Sequence, residues 1–264
     1  MRRAPLGSAA AIATAALLAT ACASTQPPAG GGVPDPWQSW NRPVFAFNMK
    51  VDDYVLAPVA HGWIFITPQP VRDAVGRFFF NIRFPSRLVS SVGQGEAMHA
   101  LTETGRFLVN STFGIAGLFD PATDIGLPRY ESDIGIMFGR WGIPPGPYWV
   151  IPLVGPSSPR DAVGLVGDAL LNPLSWLPPF WLPYATGTLN VVNSRALADK
   201  QIENARRTAL DFYVFVRDAY VQRRAAAVRG AETPAQAGVG VYDLYGAPVD
   251  YDLPEEPKTD VPKK

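Results

Sequence analysis

The residues able to carry reactive chemistry in this 264-residue chain are few and widely separated. There is one cysteine, Cys22, so no disulfide framework exists. The two histidines, His61 and His99, belong to no H-E-x-x-H or comparable ligand cluster. Ser157 and Ser158 lie in "GPSSPRD", which lacks the G-x-S-x-G form of a nucleophile elbow and reads as a turn leading into a helix. Glu131 and Asp133, in "ESD", offer paired carboxylates, but acidic residues opening a helix explain them more simply. No glycine-rich phosphate loop is present. The expectation is a protein that is not an enzyme, with no catalytic, cofactor or metal site.

Cys22 has a different chemistry available. Arg2 and Arg3 precede an alanine-rich apolar stretch, 9–18, which ends in the small residues Ala19, Thr20 and Ala21. This is the layout of an export signal, and it is too short to span a bilayer. Two cleavages fit it. One is lipoprotein processing before Cys22, whose thiol is then acylated, although Ala19 stands where leucine is commonest. The other is ordinary cleavage after Ala23. The following segment, rich in Ser, Thr, Pro and Gly, has the composition of a tether and favours lipidation of Cys22. Ala23 in place of aspartate points to outer-membrane sorting.

The rest of the chain must be read for surfaces rather than catalysts. Net charge is zero, which removes the basic footprint of nucleic-acid binding. Hydrophobic residues make up 47% and charged residues only 17%, below the roughly 25% of ordinary soluble domains. Four regions follow: a signal peptide at 1–21, a tether at 22–34, a helical body at 35–229, and an acidic tail at 230–264 expected to be disordered.

Within the body, the first helix is predicted to begin near Asn41, with Val44, Phe47, Val51 and Val55 on its apolar stripe. A second begins at Thr67-Pro68 and a short segment at Pro85. A further helix covers 96–112, with Ala97, Leu101, Leu108 and Val109 turned inward, and Ser132 caps another. One long helix is read over 189–229, with Arg206, Arg207, Arg217, Arg223, Arg224 and Arg229 on a polar face directed to solvent, lipid headgroups or an acidic partner. Ten prolines between 142 and 183 predict irregular, apolar backbone there. The aromatics Trp37, Trp40, Phe45, Phe47, Trp149, Trp176 and Trp181 are candidates for a membrane interface, where amphipathic rings are comfortable. The body contains no apolar run of about eighteen residues and no barrel-like alternation.

The ordered set "DPWQSWNRPVFAFN", "DDYVLAPVA", "RFFFNIRFPSRLV", "RFLVNSTFGIAGLFDPA", "SDIGIMFGRWGIPPGPYWVIPLVGPSSPRDAVG" and "DALLNPL" covers most of residues 35–174. It resembles the MlaA (VacJ) family of outer-membrane lipoproteins. The resemblance implies an all-α, ring-shaped bundle of amphipathic helices lying in one membrane leaflet around a channel. It implies phospholipids as cargo, removed from the outer leaflet and passed to a soluble periplasmic carrier, and association with trimeric porins. Under this resemblance "GRWGIPPGP" is expected to form a gating hairpin at the channel mouth, with Gly139, Gly142 and Gly146 as flexible points. The Pro144-Pro145 pair stiffens it. A porin-associated adaptor without transport activity is the alternative.

Overall fold

A computed structural model describes residues 33–230; the signal peptide, Cys22, most of the tether and nearly all of the acidic tail lie outside the described residues. The described chain is helical. Its elements in order are α1 (Gln38–Val51), a π-helical turn (Asp52–Leu56), α2 (Ala57–Ile66), α3 (Gln69–Ile82), α4 (Phe84–Gly93), α5 (Ala97–Thr112), α6 (Pro121–Asp124) and α7 (Ile134–Arg140). A short antiparallel hairpin, β1 (Trp149–Ile151) and β2 (Gly155–Ser157), follows. The order then runs α8 (Pro159–Leu171), a 3-10 turn (Pro173–Trp176), α9 (Leu182–Leu197), α10 (Asp199–Thr208) and α11 (Phe212–Arg229).

Several local expectations change for definite physical reasons. α1 starts at Gln38, three residues before Asn41, and Asn41 is fully buried rather than capping. Asp133, not Ser132, caps α7, accepting from the Ile136 amide at 2.7 Å. The proline-rich segment is not wholly irregular. Pro159 occupies the first turn of α8, where its missing N–H costs nothing, and Ser158 caps that helix by accepting from the Asp161 amide. The helix read over 189–229 is three helices. They are interrupted at Ala198 and again between Thr208 and Phe212, where Ala209 turns extended and Asp211 caps α11 by accepting from the Val214 amide.

The largest difference concerns which faces are inside. On α5 the predicted inward residues Ala97, Leu101 and Leu108 are exposed, and the buried positions are Ala100, Glu103, Arg106 and Asn110. On α1 the buried stripe is Asn41, Phe45 and Asn48, continued by Asp52, while Phe47 and Val55 face outward. α4 buries Ser86, Arg87, Ser90 and Ser91. The helical period holds, but α1, α4 and α5 turn mainly polar residues inward. Among the largest fully buried side chains, Arg106, Glu103, Asn41, Asn193 and Asp52 stand beside Ile202, Val150 and Val216.

The principal buried charges are paired, as burial requires, although the Ser91 hydroxyl has no partner among the described residues. Arg106 donates to Asp120 at 2.6 and 2.8 Å, and Arg129 reaches the same carboxylate at 2.6 Å. Burial opposes the charge on Asp120, but Arg129, the Thr123 hydroxyl and Arg106 outweigh it and hold the carboxyl well below the usual range. Arg195 and Arg206 close on Asp52 at the π-helical turn, both at 2.8 Å. An apolar core cluster lies where α1, β1, α10 and α11 meet, around Phe45, Tyr148, Val150, Ile202, Tyr213 and Val216.

Candidate functional site

A cavity of about 170 Å³ opens between the helices. α3, α4, α7, the β-hairpin, α8, α9 and α11 all contribute to its wall. Phe79, Phe80, Ile136, Val154 and Leu165 supply apolar surface. Arg83, Arg87, Arg223 and Arg224 supply cations, and Glu131, Asp133, Asp161 and Asp168 supply carboxyls. A lining of this kind is amphipathic, suited to a molecule with both a charged and a hydrocarbon part.

Close helix contact positions the wall. A Cβ on Gly164 would fall 2.4 Å from the amide nitrogen of Gly135, so α7 and α8 touch backbone to backbone there. That contact brings the α7 cap, Asp133, beside Asp161 of α8. Arg224 of α11 bridges both, donating to Asp133 at 2.5 and 3.0 Å and to Asp161 at 2.8 and 3.1 Å. Tyr220 donates its hydroxyl to Asp161 at 2.6 Å. Burial disfavours ionised Asp161, but Arg224, Tyr220 and Arg160 prevail and hold its pKa at about 2. The same carboxylates raise the Arg224 pKa despite its burial.

Other lining groups are tied less symmetrically. Arg87 donates to Glu103 at 2.6 Å and to the Phe80 carbonyl, and its guanidinium stacks over the Phe80 ring. Arg223 holds Glu131 through both carboxylate oxygens at 2.8 Å, at the solvent-accessible rim. Asp168 accepts from the Ser86 hydroxyl and from the Ile134 amide. Burial, reinforced by the nearby Asp133 charge, raises its pKa above the ordinary value.

The interface candidates sit elsewhere, and none lines this cavity. Trp37 meets Trp149 edge to face at 6.4 Å. Trp40 is half exposed yet donates its indole N–H to the Val150 carbonyl. Phe47, Trp176 and Trp181 are exposed, with Trp176 held by the Leu170 carbonyl. Phe45 is the exception. It is buried against Phe212 and Tyr213, so it belongs to the apolar core and not to an outward surface. Gly139 also differs from its expected role as a flexible point. It lies inside α7, where a Cβ would meet Val228 at 2.5 Å and Arg160 at 2.8 Å, so its smallness serves packing. Gly142 and Gly146 do hold left-handed conformations, at φ +84° and +76°, in the loop between α7 and β1. The β-hairpin itself forms further on, at residues 149–157.

The basic face read on the C-terminal helices divides: Arg207 and Arg229 are exposed, while four of its arginines turn to carboxylates of the fold. Arg206 binds Asp52 and Asp53, Arg217 binds Asp218, and Arg223 and Arg224 line the cavity wall. Sequence reading does not single out Arg83, Arg87, Asp161 or Asp168, and it assigns Glu131 and Asp133 to a helix start. The available signal was their spacing: Arg83 and Arg87, and Asp161 and Asp168, recur on one helical face of an otherwise charge-poor chain.

The outer surface is apolar to an unusual degree. Phe65, Phe113, Phe180 and Leu210 are at least 80% exposed, and Leu101, Leu108, Val163, Val166 and Leu170 stand outward on α5 and α8. No helix among the described residues is long and apolar enough to cross a membrane. The serines of "GPSSPRD" are buried at the β2–α8 junction, and both histidines are engaged elsewhere, His61 with Asp199 and His99 with Glu96.

Comparison with known proteins agrees with this architecture. The family model described as MlaA lipoprotein matches residues 33–227. The intermembrane phospholipid transport system lipoprotein MlaA of Shigella flexneri is 34% identical over 233 residues, 86% of this chain and 90% of that protein. Its Escherichia coli counterpart is 33% identical over the same coverage. An uncharacterized protein of Rickettsia felis is 32% identical over 75% of this chain and 79% of its own length. A chain solved in work on the structural basis for maintenance of bacterial outer membrane lipid asymmetry superposes with a TM-score of 0.66 at 31% identity, covering 74% of this chain and all of the other. The chain therefore belongs to the MlaA lipoprotein family, and its all-α fold is matched by the solved chain.

Proposed function

We propose that this protein lies within the inner leaflet of the outer membrane, anchored by acylated Cys22, and removes mislocalised phospholipids from the outer leaflet through its amphipathic cavity. The observation that carries this reading is the inverted polarity: buried charge pairs surround an amphipathic cavity, while phenylalanines, leucines and valines cover the outside. In water such a surface is a liability. In hydrocarbon it is the solvated side, and the polar groups find their partners inside. Helices with an apolar outer face can lie in a leaflet without crossing it.

On this reading the exposed Trp176, Trp181 and Trp37 sit near headgroup level. Trp40 and Trp149 brace the hairpin beside them, and Phe47 contacts lipid. The loop carrying Gly142 and Gly146 controls entry. Phospholipid leaves toward a soluble periplasmic carrier, and trimeric porins are the neighbours in the membrane. The protein performs no chemistry on the lipid. Its relatives' description as parts of an intermembrane phospholipid transport system supports this role. Deletion of the gene tests it: outer-leaflet phospholipid should rise, and resistance to detergents should fall. Unchanged outer-leaflet phospholipid would contradict the proposal.

A further inference from the structure

The ion pairs around the cavity are not equivalent. Arg87–Glu103 is almost wholly enclosed, with side chains 7% and 0% exposed. Arg224 is fixed by two carboxylates and four hydrogen bonds. Removing a partner from pairs of this kind leaves a buried charge uncompensated. Arg223–Glu131 differs, since its side chains are 25% and 36% exposed and it joins α11 to the loop before α7. An accessible pair is held by little free energy and exchanges readily for another anion.

Arg83 lies on the same wall, at the α3–α4 junction, close enough that its charge acts on Asp168. Asp168 receives two hydrogen bonds on one carboxyl oxygen, from Ser86 and from the Ile134 amide.

We infer that the cavity recognises the phosphodiester common to all phospholipids: the phosphate takes Glu131's place on Arg223 and is held on its other side by Arg83. Guanidinium groups suit this role because they form paired, charge-assisted hydrogen bonds with phosphate oxygens. The apolar wall of Phe79, Phe80 and Leu165 receives the first part of the acyl chains. Selection then rests on the phosphate and not on the alcohol esterified to it. This inference rests on the proposed lipid-carrying role of the cavity and adds the group it recognises.

The test uses the full lipidated protein purified in a sugar-based detergent. Dihexanoylphosphatidylglycerol, dihexanoylphosphatidylethanolamine and phosphate-free dihexanoylglycerol are titrated by calorimetry. Both phospholipids should bind with similar affinity, and dihexanoylglycerol at least tenfold more weakly. Arg223→Gln and Arg83→Gln should each weaken phospholipid binding about tenfold and leave dihexanoylglycerol unchanged. Glu131→Gln removes the competing anion and should tighten phospholipid binding severalfold, whereas a merely structural Arg223–Glu131 pair predicts no gain. Equal binding of all three lipids with no effect of either arginine variant would overturn phosphate recognition while leaving a lipid-binding cavity intact. Failure of all three lipids to bind would overturn both.

Discussion

Asn41 of α1 grips both sides of one peptide segment in β1, 109 residues away. Its Oδ1 accepts from the Val150 amide at 2.8 Å, and its Nδ2 donates to the Tyr148 carbonyl at 2.9 Å. One helical stretch later, Asn48 repeats the arrangement, donating to the Ile151 carbonyl and accepting from the Leu153 amide. The Trp40 indole supplies the remaining donor, to the Val150 carbonyl. In an antiparallel pair alternate residues point their backbone groups away from the partner strand. Here α1 satisfies that outer edge with side chains, so a two-stranded hairpin survives without further strands.

Replacing Asn41 with leucine should therefore destabilise the fold by about 2 kcal/mol or more, because a buried amide and a buried carbonyl lose their partner together. Asn41→Asp keeps the acceptor for Val150 and loses the donor to Tyr148, and should fall between. Thermal melts in detergent measure both. A melting temperature for Asn41→Leu equal to the wild type would show that the hairpin does not depend on α1.

Leu108 faces outward on α5, opposite the buried Arg106–Asp120 pair. Leu108→Arg should leave the melting temperature in detergent nearly unchanged, since no packed contact is lost. Insertion into phospholipid vesicles should fall sharply, because a cation placed in hydrocarbon costs about 2.5 kcal/mol or more. Flotation with vesicles measures this. Undiminished flotation would place this face away from lipid.

Asp161 is one of the carboxylates expected to contribute to acid stability. Its folded pKa of about 2 lies below the unfolded value of roughly 3.9, so the stabilisation it provides is present above pH 4 and is lost as pH falls toward 2. Asp161→Asn should remove that pH dependence and cost about 3 kcal/mol at neutral pH, since Arg224 and Arg160 lose a buried partner. Denaturation curves at pH 7 and pH 3 give both quantities. A variant whose stability falls with acid as steeply as the wild type would contradict the assignment.

Asp168 behaves in the opposite sense. Its pKa is raised in the fold, so its contribution is favourable below the unfolded pKa and is lost as pH rises through the folded value. At neutral pH an ionised carboxyl there opposes folding. Asp168→Asn retains an oxygen acceptor for Ser86 and the Ile134 amide, and should be as stable as the wild type at pH 7 or more so. The difference should vanish near pH 4. A marked loss of melting temperature at pH 7 would show that the carboxylate itself is needed.

Helix content and the turn into a helix at "GPSSPRD" were legible from residue types and local spacing. The direction of burial was not. Periodicity reports which residues share a face, and the usual assumption that the apolar face is inner does not hold for α1 and α5. Leu101 and Glu103 illustrate this: both were visible as opposite faces of α5, and only the structure assigns Glu103, paired to Arg87, to the interior. The cavity was hidden for a further reason. Arg83, Asp133, Asp161 and Arg224 come from four separate elements, and nothing local joins them before α7 and α8 meet at Gly135 and Gly164.

The central claim is that phospholipid travels through the cavity, and filling the cavity tests it most directly. Leu165 and Ala227 line the wall, and neither belongs to a buried ion pair. In a strain lacking the native gene, outer-leaflet phospholipid is measured by surface labelling after complementation with wild type, Leu165→Trp or Ala227→Trp, each present at equal abundance in the membrane. The account predicts that the wild type restores the low level and that both tryptophan variants leave phospholipid accumulated as in the deletion. Full restoration by both variants would contradict passage through this cavity.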